Sequence, residues 1–207
     1  TIITSCSLAL GVVRIVLRRL CSSDGQHIRR ERRLLCLGLD GAGKSALLAP
    51  DGAPAPTRGF AVRSHPARPD WTFDVCEVGG AAHLRPYWHR YATADVAALL
   101  FVVSVADEDR WAEARESLES ILRFLPTDVP LAVLANAVGA NAHEVDTARL
   151  GDELQLSRLC SSPGSGPLRP HCIIACAALG VKSASSGLSE GLEWVGQTIE
   201  EVESERV

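Results

Sequence analysis

The segment GLDGAGKS, residues Gly38–Ser45, constrains the fold of this chain more than any other part of the sequence. It matches the pattern G-x-x-x-x-G-K-[ST], in which a glycine-rich turn joins a strand to a helix. The apolar residues Leu34–Leu37 precede it as a candidate strand, and a candidate helix follows it. Because this is the context that the pattern requires, we predict a phosphate-binding loop here.

Each part of this loop has a predicted role. Glycines let the backbone wrap closely, so that N–H groups and the start of the helix face phosphate oxygens. Lys44 is predicted to neutralise the β- and γ-phosphates, and the Ser45 hydroxyl to ligate Mg²⁺. The chain has only one other lysine, Lys182, which argues against a chance lysine in the loop. The predicted phosphate-binding residues are Gly38, Leu39, Asp40, Gly41, Ala42, Gly43, Lys44 and Ser45.

Three later segments supply further candidate ligands. In CEVGG, Glu77 is expected to reach Mg²⁺ through a water molecule, and the Gly80 amide to meet a γ-phosphate. In PTRGF, Thr57 offers a second hydroxyl to the cation. Asn136, in ANAVG, ends a buried strand, and ligands of such sheets bind at the carboxyl ends of strands. We therefore predict that Asn136 contacts a base, with a turn-forming asparagine as the alternative.

Strand-like and helix-like runs alternate along the body of the chain. Val96–Val103 is a continuous apolar run, typical of a strand that is buried on both faces. Helical spacing marks Glu108–Leu125, Thr147–Leu156 and a last helix over Leu188–Val202, while His65–Asp70 is turn-like. The alternation predicts one α/β domain with a six-stranded, mostly parallel sheet and helices on both faces. The remaining strand candidates are Phe60–Arg63, Trp71–Val78, Val129–Ala135 and Ile173–Ala175.

Composition limits the classes of partner and compartment. The chain has 207 residues, 46% of them hydrophobic, which is enough for one buried core. A net charge of −4 gives no general attraction to nucleic acid, so none is expected as a partner. Seven cysteines without a Cys-x-x-Cys pair are interpreted as free thiols in a reducing compartment, which favours a cytoplasmic location.

The N-terminal segment, residues 1–28, is interpreted separately from the domain over residues 29–207. Residues 2–20 are mostly apolar, but the run before Arg14 is shorter than the roughly 20 residues that span a bilayer. It fits the end of a longer span, a helix on a membrane surface, or a helix packed on the domain. The basic stretch Arg29–Arg33 would suit the cytoplasmic side of an anchor.

The order of these motifs resembles the ADP-ribosylation-factor-like (Arf-like) branch of the Ras-type small GTPases, from about Arg33 to about Ile199. GLDGAGKS is similar to the Arf-type phosphate loop, including Asp40, and PTRGF is similar to the PTxGF of the first switch. EVGGAAHLRPYWHRY resembles the second switch, DVGGxxxxRxxWxxY, with Arg85, Trp88 and Tyr91 at matching positions. The apolar N-terminus and Glu77 are similar to the divergent Arf-like protein 10 group.

The resemblance implies a P-loop NTPase fold of the small-GTPase kind that binds GTP or GDP with Mg²⁺ through Ser45 and Thr57. It implies effector and regulator proteins as partners, with Phe60, Trp88 and Tyr91 as a partner surface. An aromatic cluster that packs the second switch is an equally good interpretation of those rings. The segment CAA lies where the family's base-contacting loop lies, so Cys176 and Ala177 join Asn136 as base-binding candidates.

Three departures from the family pattern bear on function. The base-reading motif Asn-Lys-x-Asp is replaced by Asn136, Ala137, Val138 and Gly139, which weakens the basis for guanine selectivity. Ala81 replaces the glutamine that orients the attacking water, so hydrolysis is expected to be very slow. Pro50 predicts a short first helix, because proline blocks a helix interior. The shortened connection to Thr57 leaves open whether that hydroxyl reaches the cation.

Three functional hypotheses follow from the sequence. The first is a GTP-binding switch of the Arf-like kind that rearranges with the γ-phosphate. The second is a pseudo-GTPase interaction scaffold with weak or base-unselective nucleotide binding, which Ala81 and Gly139 favour. The third, an ATPase or nucleotide kinase, fits the switch-like segments poorly. A carboxylate reaching the base from elsewhere, such as that of Asp146, would restore the first hypothesis.

Overall fold

The computed structural model describes residues 30–49, 57, 59–68, 71–137, 145–161, 168–177 and 184–205. One sheet has the strand order β2-β3-β1-β4-β5-β6. β2 and β3 pair antiparallel, and every other neighbouring pair is parallel. The predicted six-stranded, mostly parallel sheet is therefore confirmed. The strands are β1 (Arg30–Leu37), β2 (Phe60–Arg68), β3 (Trp71–Val78), β4 (Val96–Ser104), β5 (Leu131–Asn136) and β6 (His171–Cys176).

Helices cover both faces of this sheet, as predicted. They are α1 (Lys44–Leu48), α2 (Trp111–Leu122), α3 (Thr147–Glu153), α4 (Leu156–Leu159) and α5 (Ala184–Glu205), with 3₁₀ helices at Arg85–Tyr91 and Glu108–Arg110. One buried apolar cluster lies between the sheet and helices α2 to α4. The other lies between the sheet and helices α1 and α5. The central strands are continuous apolar runs because both of their faces are covered.

Strand β2 is longer than its sequence pattern predicts. We expect a turn over His65–Asp70, but β2 runs on to Arg68, and Pro66 pairs with Thr72. That part of the prediction is wrong. A proline lacks the N–H of a ladder hydrogen bond, but β2 is an edge strand, where the missing donor leaves no inner neighbour unpaired. The antiparallel pairing with β3 therefore continues past the residues that signalled a turn.

The predicted apolar segment at residues 1–28 lies outside the described residues, but the basic stretch after it enters β1. Arg32 lies 5.4 Å from the ring centroid of Trp71 and pairs with Glu203 of α5 at 2.9 Å. Arg33 pairs with Asp95 at 3.1 Å. These two arginines thus join β1 to its neighbours, and a role of the basic stretch beside a membrane stays a prediction. In the part of the chain that the structure covers, no helix is long and apolar enough to cross a membrane.

Arg169 is a buried arginine that holds the end of α2. Its guanidinium donates to the carbonyl oxygens of Val129 at 2.6 Å, Leu125 at 3.0 Å and Leu122 at 3.5 Å, and the residue is 4% exposed. Burial lowers the pKa of the Arg169 side chain below its ordinary value. This side chain thus donates to one carbonyl at the end of α2 and to two in the segment that follows it.

Replacing Arg169 with methionine is expected to lower the free energy of unfolding by about 2–3 kcal/mol, because buried carbonyl oxygens lose their donors. Urea unfolding measures this loss. Arg123→Met is the matched control, since the Arg123 side chain is 73% exposed on the same part of the fold. A loss for Arg169→Met no larger than the control's would show that the three hydrogen bonds do not stabilise the domain.

Candidate functional site

The predicted phosphate loop leaves β1 and turns into α1. Gly38 has φ 144°, and a Cβ atom at this position would lie 2.2 Å from the carbonyl oxygen of Val102 in β4. No other residue type fits that approach, because even the smallest side chain would overlap the neighbouring strand. The first glycine of the motif is therefore required by the path of the loop across the end of the sheet.

Lys44 begins α1 and lies back over the loop. Its ammonium donates to the carbonyl oxygens of Gly38 at 2.7 Å and Leu39 at 2.8 Å, and the residue is 5% exposed. Burial lowers the pKa of the Lys44 ammonium, while nearby negative groups, including Glu77 and Asp40, act against that shift. The structure thus places this positive charge within the loop that the sequence assigns to phosphate.

Two hydroxyls and one carboxylate meet beside the loop. The Ser45 and Thr57 hydroxyl oxygens are 3.1 Å apart, and both donate to Oε1 of Glu77, Thr57 at 2.9 Å. Glu77 is 1% exposed. Helix α1 ends at Leu48, so the predicted short first helix is confirmed, yet Thr57 still reaches this group. The structure therefore brings together the three residues that the sequence places around Mg²⁺.

The donor set of this group suits a small hard cation. Mg²⁺ takes oxygen ligands and is usually bound in proteins by one or two carboxylates together with phosphate and water oxygens. Ser45, Thr57 and Glu77 offer two hydroxyls and one buried carboxylate. Among the residues placed by the structure, no cluster of His, Cys, Asp and Glu forms another metal site. The residues present thus fit the cation that the sequence predicts.

Arg63 of β2 is a fourth member of the group, and no sequence pattern predicts it. Its guanidinium donates to Oε2 of Glu77 at 3.1 Å, and the Arg63 side chain is 35% exposed. The two carboxylate oxygens of Glu77 therefore have different partners: hydroxyls on one and a positive charge on the other. Only the register of β2 against β3 could have revealed this pair, because the two residues are distant in sequence.

Gly80 lies directly against the phosphate loop. A Cβ atom at Gly80 would lie 2.3 Å from the carbonyl oxygen of Gly38 and 2.5 Å from the amide nitrogen of Asp40. Glycine at this position therefore permits backbone contact between the second switch and the loop. Ala81, which follows it, presents only a methyl group at the position of the family's glutamine.

Asp40 links the phosphate loop to two arginines. The Arg85 guanidinium donates to the Gly80 carbonyl at 2.8 Å and to Glu113 at 2.6 Å, and it lies 3.4 Å from the Asp40 carboxylate. Arg110 donates to the backbone carbonyl of Asp40 at 3.0 Å. Asp40 and Arg85 are separate features in the sequence, whereas Arg110 and the contact that joins all three are evident only in the structure.

Asn136 ends β5 next to the loop, as predicted, but its amide is used within the protein. Its Nδ2 donates to the carbonyl oxygen of Ala42 at 2.9 Å, and the residue is fully buried. This contact fixes the end of β5 against the phosphate loop. The predicted contact between Asn136 and a base stays a prediction.

The other base-binding candidates lie at the end of β6. The Cys176 carbonyl accepts from the Ala137 amide at 2.7 Å, but the Cys176 thiol is buried in the core cluster under α5. A base contact from Cys176 can therefore come only from its backbone. Ala177 is also buried, while Ala178, Val138 and Gly139 lie outside the described residues.

Asp146, considered as a substitute carboxylate for the base, has a structural role. It precedes α3, and its side chain accepts from the Arg149 amide at 2.9 Å. This is the hydrogen bond of an N-cap aspartate. One oxygen of its carboxylate is thus used to begin a helix, and a contact between Asp146 and the base stays a prediction.

The three rings of the predicted partner surface are placed differently from one another. Phe60 is 60% exposed, and its ring lies 5.7 Å from that of Tyr91. Trp88 is 2% exposed, packs edge-on against Phe101 and donates its indole N–H to the Gly79 carbonyl at 3.0 Å. The prediction that Trp88 belongs to a partner surface is therefore wrong, because its side chain packs the second switch. Phe60 and Tyr91 remain candidates for a partner surface.

The cysteines that the structure describes are free and lie in or near the core. Burial raises the pKa of the Cys36, Cys172 and Cys176 thiols to about 12 and that of Cys160 to about 11. Thiols with such values are poor nucleophiles and poor metal ligands near neutral pH. The interpretation as free buried thiols thus holds for Cys36, Cys76, Cys160 and Cys176, with Cys172 partly exposed.

Comparison with known proteins finds Arf-like relatives that match most of the chain. ADP-ribosylation factor-like protein 3 of Chlamydomonas reinhardtii is 33% identical over 174 residues, which cover 80% of this chain and 89% of the relative. ADP-ribosylation factor-like protein 1 of Saccharomyces cerevisiae is 33% identical over 178 residues, covering 83% and 90%. No comparison separates the Arf-like protein 10 group from the others, so that narrower resemblance stays a prediction.

A solved structure agrees with the sequence relatives. The Arl6 BBS3 small GTPase from Trypanosoma brucei, solved with the bound nucleotide analogue GppNp, superposes with a TM-score of 0.67 at 25% identity. The match covers 83% of this chain and 99% of that one. The model of the ADP-ribosylation factor family matches residues 17–199. This chain therefore belongs to the ADP-ribosylation factor family of small GTPases.

Proposed function

We propose that this protein is a GTP-binding molecular switch that binds GTP or GDP together with Mg²⁺. The observation that carries the proposal is the convergence of the Ser45 and Thr57 hydroxyls on the buried Glu77 carboxylate, next to Lys44. These residues come from the phosphate loop, the first switch and the end of β3. Hydroxyls and a carboxylate next to a buried lysine are the groups that bind Mg²⁺ and the phosphates of a nucleotide.

Within this proposal, Ser45 and Thr57 hold the cation, and Glu77 supplies the negative charge beside it. The cation, when bound, neutralises charge on the β- and γ-phosphate oxygens. Lys44 provides the second positive charge from inside the loop. Gly80, in backbone contact with the loop, is the residue through which the second switch detects a γ-phosphate.

Hydrolysis is proposed to be very slow without help from another protein. In related chemistry a glutamine orients the attacking water, and its loss removes that positioning. Ala81 has no group that can hold or polarise a water molecule. The switch would therefore remain in its GTP state until a regulator supplies the missing group.

Replacing Ala81 with glutamine is expected to raise the single-turnover rate of GTP hydrolysis by about tenfold or more, because a positioned amide orients the water. Rapid mixing with radiolabelled GTP measures the rate. Ala81→Leu is the matched control, since it adds similar bulk without a polar group. Equal rates for the two variants would show that the slow step does not depend on this position.

The partners proposed for the switch are effector and regulator proteins. The exposed Phe60 and the partly buried Tyr91 form an aromatic pair that joins the two switch segments, where a change at the γ-phosphate would alter the surface. The proposal keeps a cytoplasmic location, with membrane contact through residues 2–20. Nucleic acid is not proposed as a partner, since the net charge is −4.

A pseudo-GTPase scaffold is the second candidate function. Ala81 and Gly139 favour it, since both replace side chains that act on the nucleotide. The buried Ala137 also lacks the length of the lysine it replaces. In that case the fold would serve as a binding surface, and nucleotide affinity would be weak or equal for different bases.

A binding titration of the full chain with GTP, GDP and ATP, with and without Mg²⁺, separates these functions. Tight binding of GTP and GDP with weaker binding of ATP supports the switch. Equal, weak binding of GTP and ATP means that the base is not read. Absence of binding for all three nucleotides overturns the switch and leaves the scaffold.

A further inference from the structure

The carboxylate of Glu77 is shared between the cation site and an arginine of the same domain. Oε1 accepts from the Ser45 and Thr57 hydroxyls, and Oε2 accepts from Arg63 at 3.1 Å. With 1% exposure, Glu77 has almost no contact with water. A carboxylate this buried needs a positive charge or strong donors nearby, because removing a charge from water is costly.

Arg63 is placed so that it stays near this carboxylate. It lies on β2 opposite Val75, and Glu77 is two residues further along β3, so the two side chains are diagonal neighbours on one face of the sheet. The Arg63 side chain is partly exposed, whereas Glu77 is closed off. The guanidinium can therefore move toward solvent while the carboxylate cannot.

A cation between the Ser45 and Thr57 hydroxyls would depend on the same negative charge. A positive charge close to a carboxylate in a partly buried setting weakens its attraction for a second cation, since Coulomb interactions are strong at low effective dielectric. Lys44 already brings one positive charge to this region. Arg63 adds a second, on the opposite oxygen of Glu77.

We propose that Arg63 competes with Mg²⁺ for the charge of Glu77, so that the chain holds the cation loosely and keeps its site shaped without it. Arg63 is thus a positioning residue that sets the metal dependence of nucleotide binding. The proposal rests on the proposed function, because that function supplies the cation, but the competition acts on the Glu77 carboxylate whether or not a nucleotide is bound. This role of Arg63 is additional to the roles proposed for the phosphate loop and the two switches.

The first test measures the release of a fluorescent GDP analogue from the full chain as free Mg²⁺ is varied. Arg63→Gln is expected to lower the Mg²⁺ concentration at the midpoint by about tenfold, because one positive charge next to Glu77 is removed. Arg63→Lys keeps the charge and is expected to stay near the wild-type midpoint. Arg158→Gln, whose side chain is 57% exposed and pairs with Glu119, is the control for a lost surface arginine.

The second test needs no nucleotide. Thermal melting of each variant is compared in EDTA and in millimolar Mg²⁺. Arg63→Gln is expected to melt below wild type in EDTA, since Glu77 loses its counter-charge, and to gain more than wild type when Mg²⁺ is added. This comparison still decides the role of Arg63 if no variant binds the fluorescent nucleotide, a result that would defeat the proposed function.

Two outcomes overturn the role of Arg63. One is an unchanged Mg²⁺ midpoint, or, where no nucleotide binds, an equal gain in melting temperature from Mg²⁺ for Arg63→Gln and wild type. The other is a shift for Arg63→Lys as large as that for Arg63→Gln, which would show that charge is not the cause. A lower midpoint confined to Arg63→Gln supports the competition.

Discussion

Replacing Lys44 with alanine is expected to weaken the binding of GTP and GDP by about a hundredfold to a thousandfold, or roughly 3–4 kcal/mol. Lys44 is buried within the loop, with its ammonium on the carbonyl oxygens of Gly38 and Leu39. Phosphate charge held in that loop would lose its main internal counter-charge. Titration calorimetry with each nucleotide in Mg²⁺ measures the change.

The Lys44→Ala result needs a check that the domain is intact. The variant is expected to melt below the wild type, because two loop carbonyl oxygens lose their donor, but it should still unfold in one cooperative transition. Ser161→Ala, at an exposed position outside the site, serves as the control for alanine substitution itself. Wild-type affinity in a folded Lys44→Ala variant would mean that nucleotide is not held by this loop.

The phosphate loop could be predicted because its geometry depends on local sequence. Gly38 approaches β4 so closely that only glycine fits, and Lys44 follows at a fixed distance along the same turn. Neither feature needs long-range information. The buried strands could also be predicted from the sequence, since β4 and β5 are covered on both faces and therefore consist of apolar runs.

The contacts that shape the candidate cation site could not be predicted in the same way. Arg63 and Glu77 meet because β2 and β3 pair in one register, and a shift of one residue would put them on opposite faces. The residue at which β2 ends could not be predicted for a related reason. Pro66 signals a turn locally, but pairing with β3 decides whether the strand continues. Such information lies in the pairing of strands and not in either strand alone.

The aromatic residues show a different limit. Trp88 and Tyr91 lie in one segment, and the sequence predicts both equally as parts of a partner surface. In the structure, Trp88 of the 3₁₀ helix points inward and packs against Phe101. A residue pattern in a switch does not reveal which rings the fold needs for packing. Similarly, Asp40, Arg85 and Arg110 come from three segments, and only their assembly shows that one carboxylate joins them.

Of the properties proposed for this site, guanine selectivity has the least support from the sequence and the structure. The family's aspartate accepts hydrogen bonds from the guanine ring N–H and amino group, and Gly139 stands at its position. Asp146, the other candidate acceptor, caps α3 through one of its carboxylate oxygens. The Asn136 side chain is buried, and its amide donates to the Ala42 carbonyl of the phosphate loop. The site therefore keeps the residues proposed to bind phosphate and the cation, beside a segment that lacks the acceptor of the family's base-reading motif.

Replacing Gly139 with aspartate is expected to raise the preference for GTP over ATP by about a hundredfold, because a carboxylate that accepts two hydrogen bonds from guanine accepts none from adenine's corresponding positions. Competition of unlabelled GTP and ATP against a fluorescent GDP analogue measures the preference. Gly139→Asn has the same length without the charge, and we expect a much smaller gain from it. An equal rise in affinity for both nucleotides, or the same gain from asparagine, would mean that position 139 does not read the base. A gain confined to aspartate and to GTP would show that the chain retains a guanine site lacking only its acceptor, and that the scaffold hypothesis understates what the fold can still bind.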